Sequence, residues 1–205
     1  MSSMNLSWHT ITFFGDSAIT IPAACILALW LGLNRLWRPM LAWLVCFGTA
    51  MFIVVVSKLL FMGWDIAPPM LNFTGFSGHT ASSSALYLSI ALVLTQGCSR
   101  PRRSLVLALT ALAVTAIGVS RLMIKVHSES EVLLGLLLGA GAAWAFSLSL
   151  HRAPPPWRHL LLPLGLAAAL LMTGFDKPAP TQSFLQELAK NLSGRPEVYF
   201  RHEPL

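Results

Sequence analysis

The chain has 205 residues, of which 55% are hydrophobic and 11% charged, with a formal net charge of +6 and a mean hydropathy of +0.67. A water-soluble domain carries roughly 25% charged residues, so this composition excludes one and calls for lipid against much of the molecule. The excess positive charge is spread between apolar stretches, which reads as a topology signal and lipid headgroup contact, with no nucleic-acid partner.

In chain order, residues 1–16 form a short lead-in without Lys or Arg. Six stretches free of Asp, Glu, Lys and Arg follow: Ser17–Asn34, Pro39–Ser57, Thr80–Ser99, Ser104–Ser120, Val132–Leu150 and Leu160–Phe175. Each runs to about 16–20 residues, near the ~20 a helix needs to cross the hydrocarbon core. Backbone in lipid must satisfy its own hydrogen bonds, so these stretches are helices. The predicted fold is all-α: a polytopic membrane protein with a six-transmembrane-helix bundle over residues 17–175. The tail, 176–205, is polar. In it Phe184, Leu185, Leu188 and Leu192 recur at helical spacing, which predicts a short amphipathic helix that either lies on the membrane surface or caps the bundle.

The loops after the first, third and fifth stretches hold Arg35 and Arg38; Arg100, Arg102 and Arg103; and Arg152 and Arg158, with no acid among them. The positive-inside rule makes that side cytoplasmic. Both termini and the other two loops then face outward, to the periplasmic side of a bacterial-type inner membrane. The first residues lack a basic stretch and a small-residue cleavage site, so the first helix is expected to act as its own targeting signal. Cys25, Cys46 and Cys98 suggest no disulfide, and no Cys/His spacing reads as a zinc site.

The two outward loops hold the candidate chemistry. The first ends Thr74-Gly75-Phe76-Ser77-Gly78-His79-Thr80 at a helix start. Glycine there lets backbone N–H groups approach a ligand, and a helix N-terminus suits an oxyanion; an ordinary turn and cap would have the same composition. The second runs from Ser120-Arg121 through Lys125 to His127-Ser128-Glu129-Ser130-Glu131. Arg121 offers a planar fork for phosphate. His127 and Glu131 are spaced to share a helix face, where the carboxylate can hold one ring nitrogen protonated and leave the other nucleophilic. Ser128-x-x-Glu131 also reads as a capping box, a structural role that does not exclude the first.

These residues resemble the type 2 phosphatidic acid phosphatase family. Ser77-Gly78-His79 is similar to its second signature, with Phe76 where a proline is usual. Ser120-Arg121, His127 and Glu131 are spaced as in its third, with Glu for the usual Asp. Lys58 fits the lysine of the first, but Asp65 and Ile66 stand where Arg-Pro is expected. The resemblance covers roughly residues 50–145. It implies that His127 attacks phosphorus to form a phosphohistidine, Glu131 orients it, and His79 protonates the leaving oxygen. Lys58, Ser77, the Gly78 N–H and Arg121 would hold the phosphoryl oxygens, with no metal or other cofactor. Lys125 is the candidate to replace the missing arginine, and Asp65 is expected to point away from the site or to pair with Lys58 or Lys125.

The implied function is a membrane phosphatase acting on a phosphorylated or pyrophosphorylated lipid, such as undecaprenyl pyrophosphate, phosphatidylglycerophosphate, phosphatidic acid or a lipid A phosphate. Two alternatives use the same scaffold: a phosphotransferase that passes the phosphoryl group to a lipid hydroxyl, and a non-catalytic lipid-binding or transport protein. The sequence assigns neither the lipid nor an oligomeric state.

Overall fold

The computed structural model describes residues 3–68, 72–150, 165 and 181–201. Among them the regular structure is helical throughout: α1 (Ser3–Phe13), α2 (Ser17–Leu33), α3 (Trp37–Trp64), α4 (Gly78–Leu94), α5 (Arg100–Met123), α6 (Glu129–Ser147) and α7 (Thr181–Ser193). The all-α expectation holds. Four stretches are long and apolar enough to cross a membrane: Trp8–Leu33, α3, α5 and α6. Helix α4 is apolar but only 17 residues long. The stretch predicted at Leu160–Phe175 lies outside the described residues, so the count of six is not reached among them.

The lead-in is not plain coil. Residues Ser3–Phe13 form α1, and the chain bends at Phe14–Asp16 before α2. Asp16 makes that second start: its side chain accepts from the Ala18 N–H at 2.8 Å, satisfying a donor the first helical turn leaves unpaired. Helix α3 runs past the predicted Ser57 to Trp64, where Asp65 adopts a left-handed conformation, φ 57°, and donates its N–H to the Phe61 carbonyl. That is a helix C-cap usually given to glycine or asparagine.

The core forms where α2, α3, α4 and α6 meet. Leu27, Leu31, Trp43, Leu86, Val93 and Phe146 are all but inaccessible to solvent. Trp43 stacks edge-on against Phe146 at 5.6 Å and donates its indole N–H to the Ala24 carbonyl at 3.0 Å, so its polar atom is satisfied inside the core. By contrast Phe52 on α3, Leu105, Leu109 and Leu112 on α5, and Leu133, Leu137 and Trp144 on α6 face outward. Long helices with apolar outer faces have lipid as their natural solvent; the chain is a membrane protein.

Helices α4 and α6 approach most closely. A Cβ at Gly135 would lie 2.9 Å from the Ser77 carbonyl oxygen, and one at Gly139 would run into the Ala81 carbonyl oxygen. Small residues four apart let two backbones touch, which is how helices associate when no hydrophobic drive separates lipid from protein. The contact sets His79, at the start of α4, beside the start of α6, which carries Glu131. Helix α7 caps the bundle: Leu185 and Ala189 pack on Phe61 and Met62 near the end of α3. Phe184 and Leu192, predicted to share its apolar face, are exposed instead.

Candidate active site

One end of the bundle holds a cavity of about 870 Å³. The chain reaches that end at the start of α2, the end of α3, the start of α4, the end of α5 and the start of α6. Arg35, in the turn between α2 and α3, Arg38, at the start of α3, and Arg100, Arg102 and Arg103, at the start of α5, lie at the opposite end; Arg152 and Arg158 fall outside the described residues. Lys58, Gly78, His79, Arg121 and His127 all line the cavity, together with Asp16.

Helix α5 ends at Met123, and the Val126 N–H returns to the Arg121 carbonyl. This short turn delivers His127 to the mouth of α6. Ser128 caps α6 by accepting from the Glu131 N–H, while Glu131 reaches back to the Ser128 N–H at 3.1 Å; the capping box is complete. The same carboxylate lies 2.7 Å from His127 Nδ1. One carboxylate therefore makes both the capping contact and the His127 contact.

Glu131 is wholly inaccessible to solvent, and six hydrogen bonds converge on its two oxygens. Oε2 accepts from His127 Nδ1, the Ser128 N–H and Arg201 Nη2. Oε1 accepts from the Thr74 N–H and hydroxyl, both at 2.6 Å, and again from Arg201 Nη2. A buried charge needs this degree of satisfaction. Since a carboxylate only accepts, His127 carries its proton on Nδ1, which leaves the Nε2 lone pair free. Burial lowers the His127 pKa to about 4; Lys58 and Arg121 also push it down, and the Glu131 contact opposes them without prevailing. The ring is thus neutral at ordinary pH, as a nucleophile requires.

The first loop is held against the second. The Ser77 N–H donates to the Glu131 carbonyl at 3.2 Å. Gly75 sits at φ 136°, and a Cβ there would lie 2.7 Å from Lys58 Cγ, so glycine is required both by conformation and by room. Phe76 packs on Phe73 at 5.3 Å and donates its N–H to Ser57 Oγ. Proline has no N–H to give, so it could not make this bond. The Ser77 hydroxyl pairs with Thr80 Oγ1 at 2.9 Å, fully buried, instead of turning into the cavity.

Lys125 is not brought to the site. It is exposed, with a left-handed backbone of φ 55° in the turn after α5, and it does not line the cavity. The expectation that it replaces the missing arginine is not met by this placement. Asp65 is also exposed and outside the cavity, held there by its capping conformation.

Two residues that sequence reasoning passed over belong to the site. Asp16, 5% exposed, lies 3.5 Å from His79 Nε2 through its Oδ2. Arg201 closes on Glu131 from the C-terminal segment. Arg121 donates to Thr12 Oγ1 at 2.9 Å, so the lead-in also positions that guanidinium. The available signal for Asp16 was an acid immediately before the first apolar stretch, a helix N-cap position; nothing local marked Arg201.

Comparison with known proteins agrees with this geometry. The sequence model of the PAP2 superfamily matches residues 59–155, a range that includes His79, Arg121, His127 and Glu131 and begins one residue after Lys58. A Klebsiella pneumoniae protein, described as an uncharacterized 22.5 kDa protein in the cps region, is 37% identical over 191 residues, covering 90% of each chain. No solved structure matches. With two of that family's signatures converging on one cavity, the chain belongs to the PAP2 superfamily, the type 2 phosphatidic acid phosphatases.

Proposed function

We propose that the chain is a lipid phosphatase of a bacterial inner membrane, with residues 17–175 as its catalytic domain and its cavity on the periplasmic side. One observation carries this reading: His127, in contact with Glu131 through Nδ1, lines a cavity that also holds Lys58, Arg121 and His79.

The reaction follows from the residues present. Lys58, Arg121 and the N–H of Gly78 bind the phosphoryl oxygens, and Ser77 fixes the start of α4 behind Gly78. His127 Nε2 attacks phosphorus; the bond from phosphorus to the leaving oxygen breaks, and His79, acting as an imidazolium beside the Asp16 carboxylate, gives that oxygen its proton and becomes neutral. The product is a phosphohistidine whose imidazolium charge Glu131 offsets. Water then attacks phosphorus, His79 takes up the water proton, and phosphate leaves with His127 restored. Phosphoryl transfer depends mainly on positioning and on spreading charge over cationic donors, and every proton in this cycle has a side chain to hold it. The reaction so written calls for no metal.

The apolar lower wall of the cavity, with Ile21 on α2 and Met51, Val54 and Val55 on α3, favours a substrate with a hydrocarbon portion. Candidate lipids are undecaprenyl pyrophosphate, phosphatidylglycerophosphate, phosphatidic acid and lipid A phosphate. The test is phosphate release by purified protein across this panel, with His127→Ala as the blank. Release from at least one lipid, lost in His127→Ala, is expected. The reading fails if no lipid yields phosphate while an active member of the family releases it under the same conditions.

A further inference from the structure

Residues 181–201 return to the cavity end of the bundle and build part of its wall. Gln182 Oε1 accepts from Lys58 Nζ at 3.2 Å. The Tyr199 N–H donates to the Met62 carbonyl at 2.9 Å, seating the segment along the end of α3. Two residues later Arg201 turns inward. Its Nη1 donates to the Asn72 carbonyl at 2.6 Å and to Asn72 Oδ1 at 2.7 Å. Its Nη2 lies 2.8 Å from both oxygens of Glu131 and 3.3 Å from Thr74 Oγ1.

One guanidinium therefore joins three pieces of chain: the C-terminal segment, the loop that leads into Ser77-Gly78-His79, and the first turn of α6. Both of its terminal nitrogens are committed to protein acceptors, which suits a fixed brace better than a phosphate ligand. A planar fork holds acceptors on two nitrogens in one fixed geometry, whereas a lysine offers three donors on a single freely rotating nitrogen.

We propose that Arg201 is a positioning residue of the active site, which fixes both oxygens of the Glu131 carboxylate and so holds the imidazole in line for attack. The proposal rests on the phosphatase reading for its kinetic consequences, but its geometric core does not need a substrate.

The charges facing the His127–Glu131 pair come from every neighbouring element: Lys58 on α3, Arg121 on α5, the His79–Asp16 pair across the cavity, and Arg201. Removing Arg201 leaves the carboxylate less compensated, so it favours the His127 imidazolium more strongly. The experiment is a titration of 15N-histidine-labelled full-length protein in detergent, with the His127 signal assigned by its loss in His127→Gln. It is paired with kcat and KM for phosphate release.

In Arg201→Gln the His127 midpoint is expected to rise by about one unit. The value of kcat should fall by about tenfold to a hundredfold, with KM within about threefold. Arg201→Lys should return the midpoint toward the wild-type value while kcat stays depressed. An unchanged midpoint in Arg201→Gln overturns the proposal whatever happens to kcat, since losing a cation in contact with Glu131 must be felt by the imidazole that shares its carboxylate. A raised KM with unchanged kcat overturns it too, as that marks a phosphate ligand. Should Arg201→Gln fail to fold, Asn72→Ala loosens the same brace from its other side; a midpoint and kcat both at wild-type values there overturn it. A wild type that releases no phosphate but shows the midpoint shift overturns the phosphatase reading and leaves the brace standing.

Discussion

At Glu131 a single methylene decides how the site is built. The family signature usually ends in Asp, yet here the longer side chain reaches Ser128, His127, Thr74 and Arg201 from the third position of α6. Glu131→Asp, although closer to the family pattern, should therefore reduce activity. The shortened carboxylate cannot keep the cap and the imidazole together. Loss of the side-chain half of the capping box costs up to about 1 kcal/mol, and a misplaced imidazole lowers kcat by up to about a hundredfold. Phosphate release and a melting curve on the variant check both parts. The neighbouring His127 sets the acid limit of the reaction. It attacks only when neutral, and its pKa is lowered to about 4, so the fraction competent to attack stays near unity down through the ordinary histidine value of about 6.5 and is lost only as pH falls through about 4. The limb of kcat/KM that stays fixed between two lipids of different phosphate acidity should fall near that pH; a common limb near 6.5 contradicts it. Lys58, Arg121, His127 and Glu131 could be found from sequence because signature spacing is local. Arg201 and Asp16 could not: Arg201 lies 70 residues from its carboxylate partner, and no spacing rule links positions joined only by the fold.

Helices α4 and α6 are the two elements on which the site depends, since one starts at Gly78-His79 and the other carries Glu131. Charge-free stretches located both, because lipid removes charge from whatever crosses it. The same criterion missed α1, which carries no long apolar run, and stopped α3 at Ser57 because Lys58 carries a charge. In the fold Lys58 is tolerated inside the helix by facing the cavity and Gln182. The closeness of α4 to α6 rests on glycines, which hydropathy does not weigh. Gly139→Val places a side chain against the Ala81 carbonyl and the Ser84 Cβ, and overpacking of this kind costs about 1–3 kcal/mol. It should lower the melting temperature and reduce phosphate release together, because spreading the pair separates His79 from His127. On the same helix a Cβ at Gly141 meets nothing within 4 Å, so Gly141→Ala should leave both near wild type. Equal effects from the two substitutions would show that helix propensity, and not the interface, is being read.

Across the whole molecule, charge and chemistry are segregated to opposite ends, and this segregation makes orientation testable. Arg35, Arg38, Arg100, Arg102 and Arg103 occupy the turn and helix starts away from the cavity, where the positive-inside rule places the cytoplasm. The cavity, α1 and the segment ending at Arg201 share the other end. A phosphatase so oriented meets lipids of the outer leaflet and releases phosphate into the periplasm, whereas the reverse orientation would put it on lipids of the inner leaflet. The exposed Glu197, beside the segment that braces the site, and the exposed Arg102, at the start of α5, are suitable reporters. With Cys25, Cys46 and Cys98 replaced by serine, Glu197→Cys should react with a membrane-impermeant maleimide in cells whose outer barrier has been opened. Arg102→Cys should react only once the inner membrane is permeabilised. The opposite pattern would place the cavity in the cytoplasm and redirect the substrate search to inner-leaflet lipids. Labelling of both residues before permeabilisation would mean that α5 does not cross the membrane.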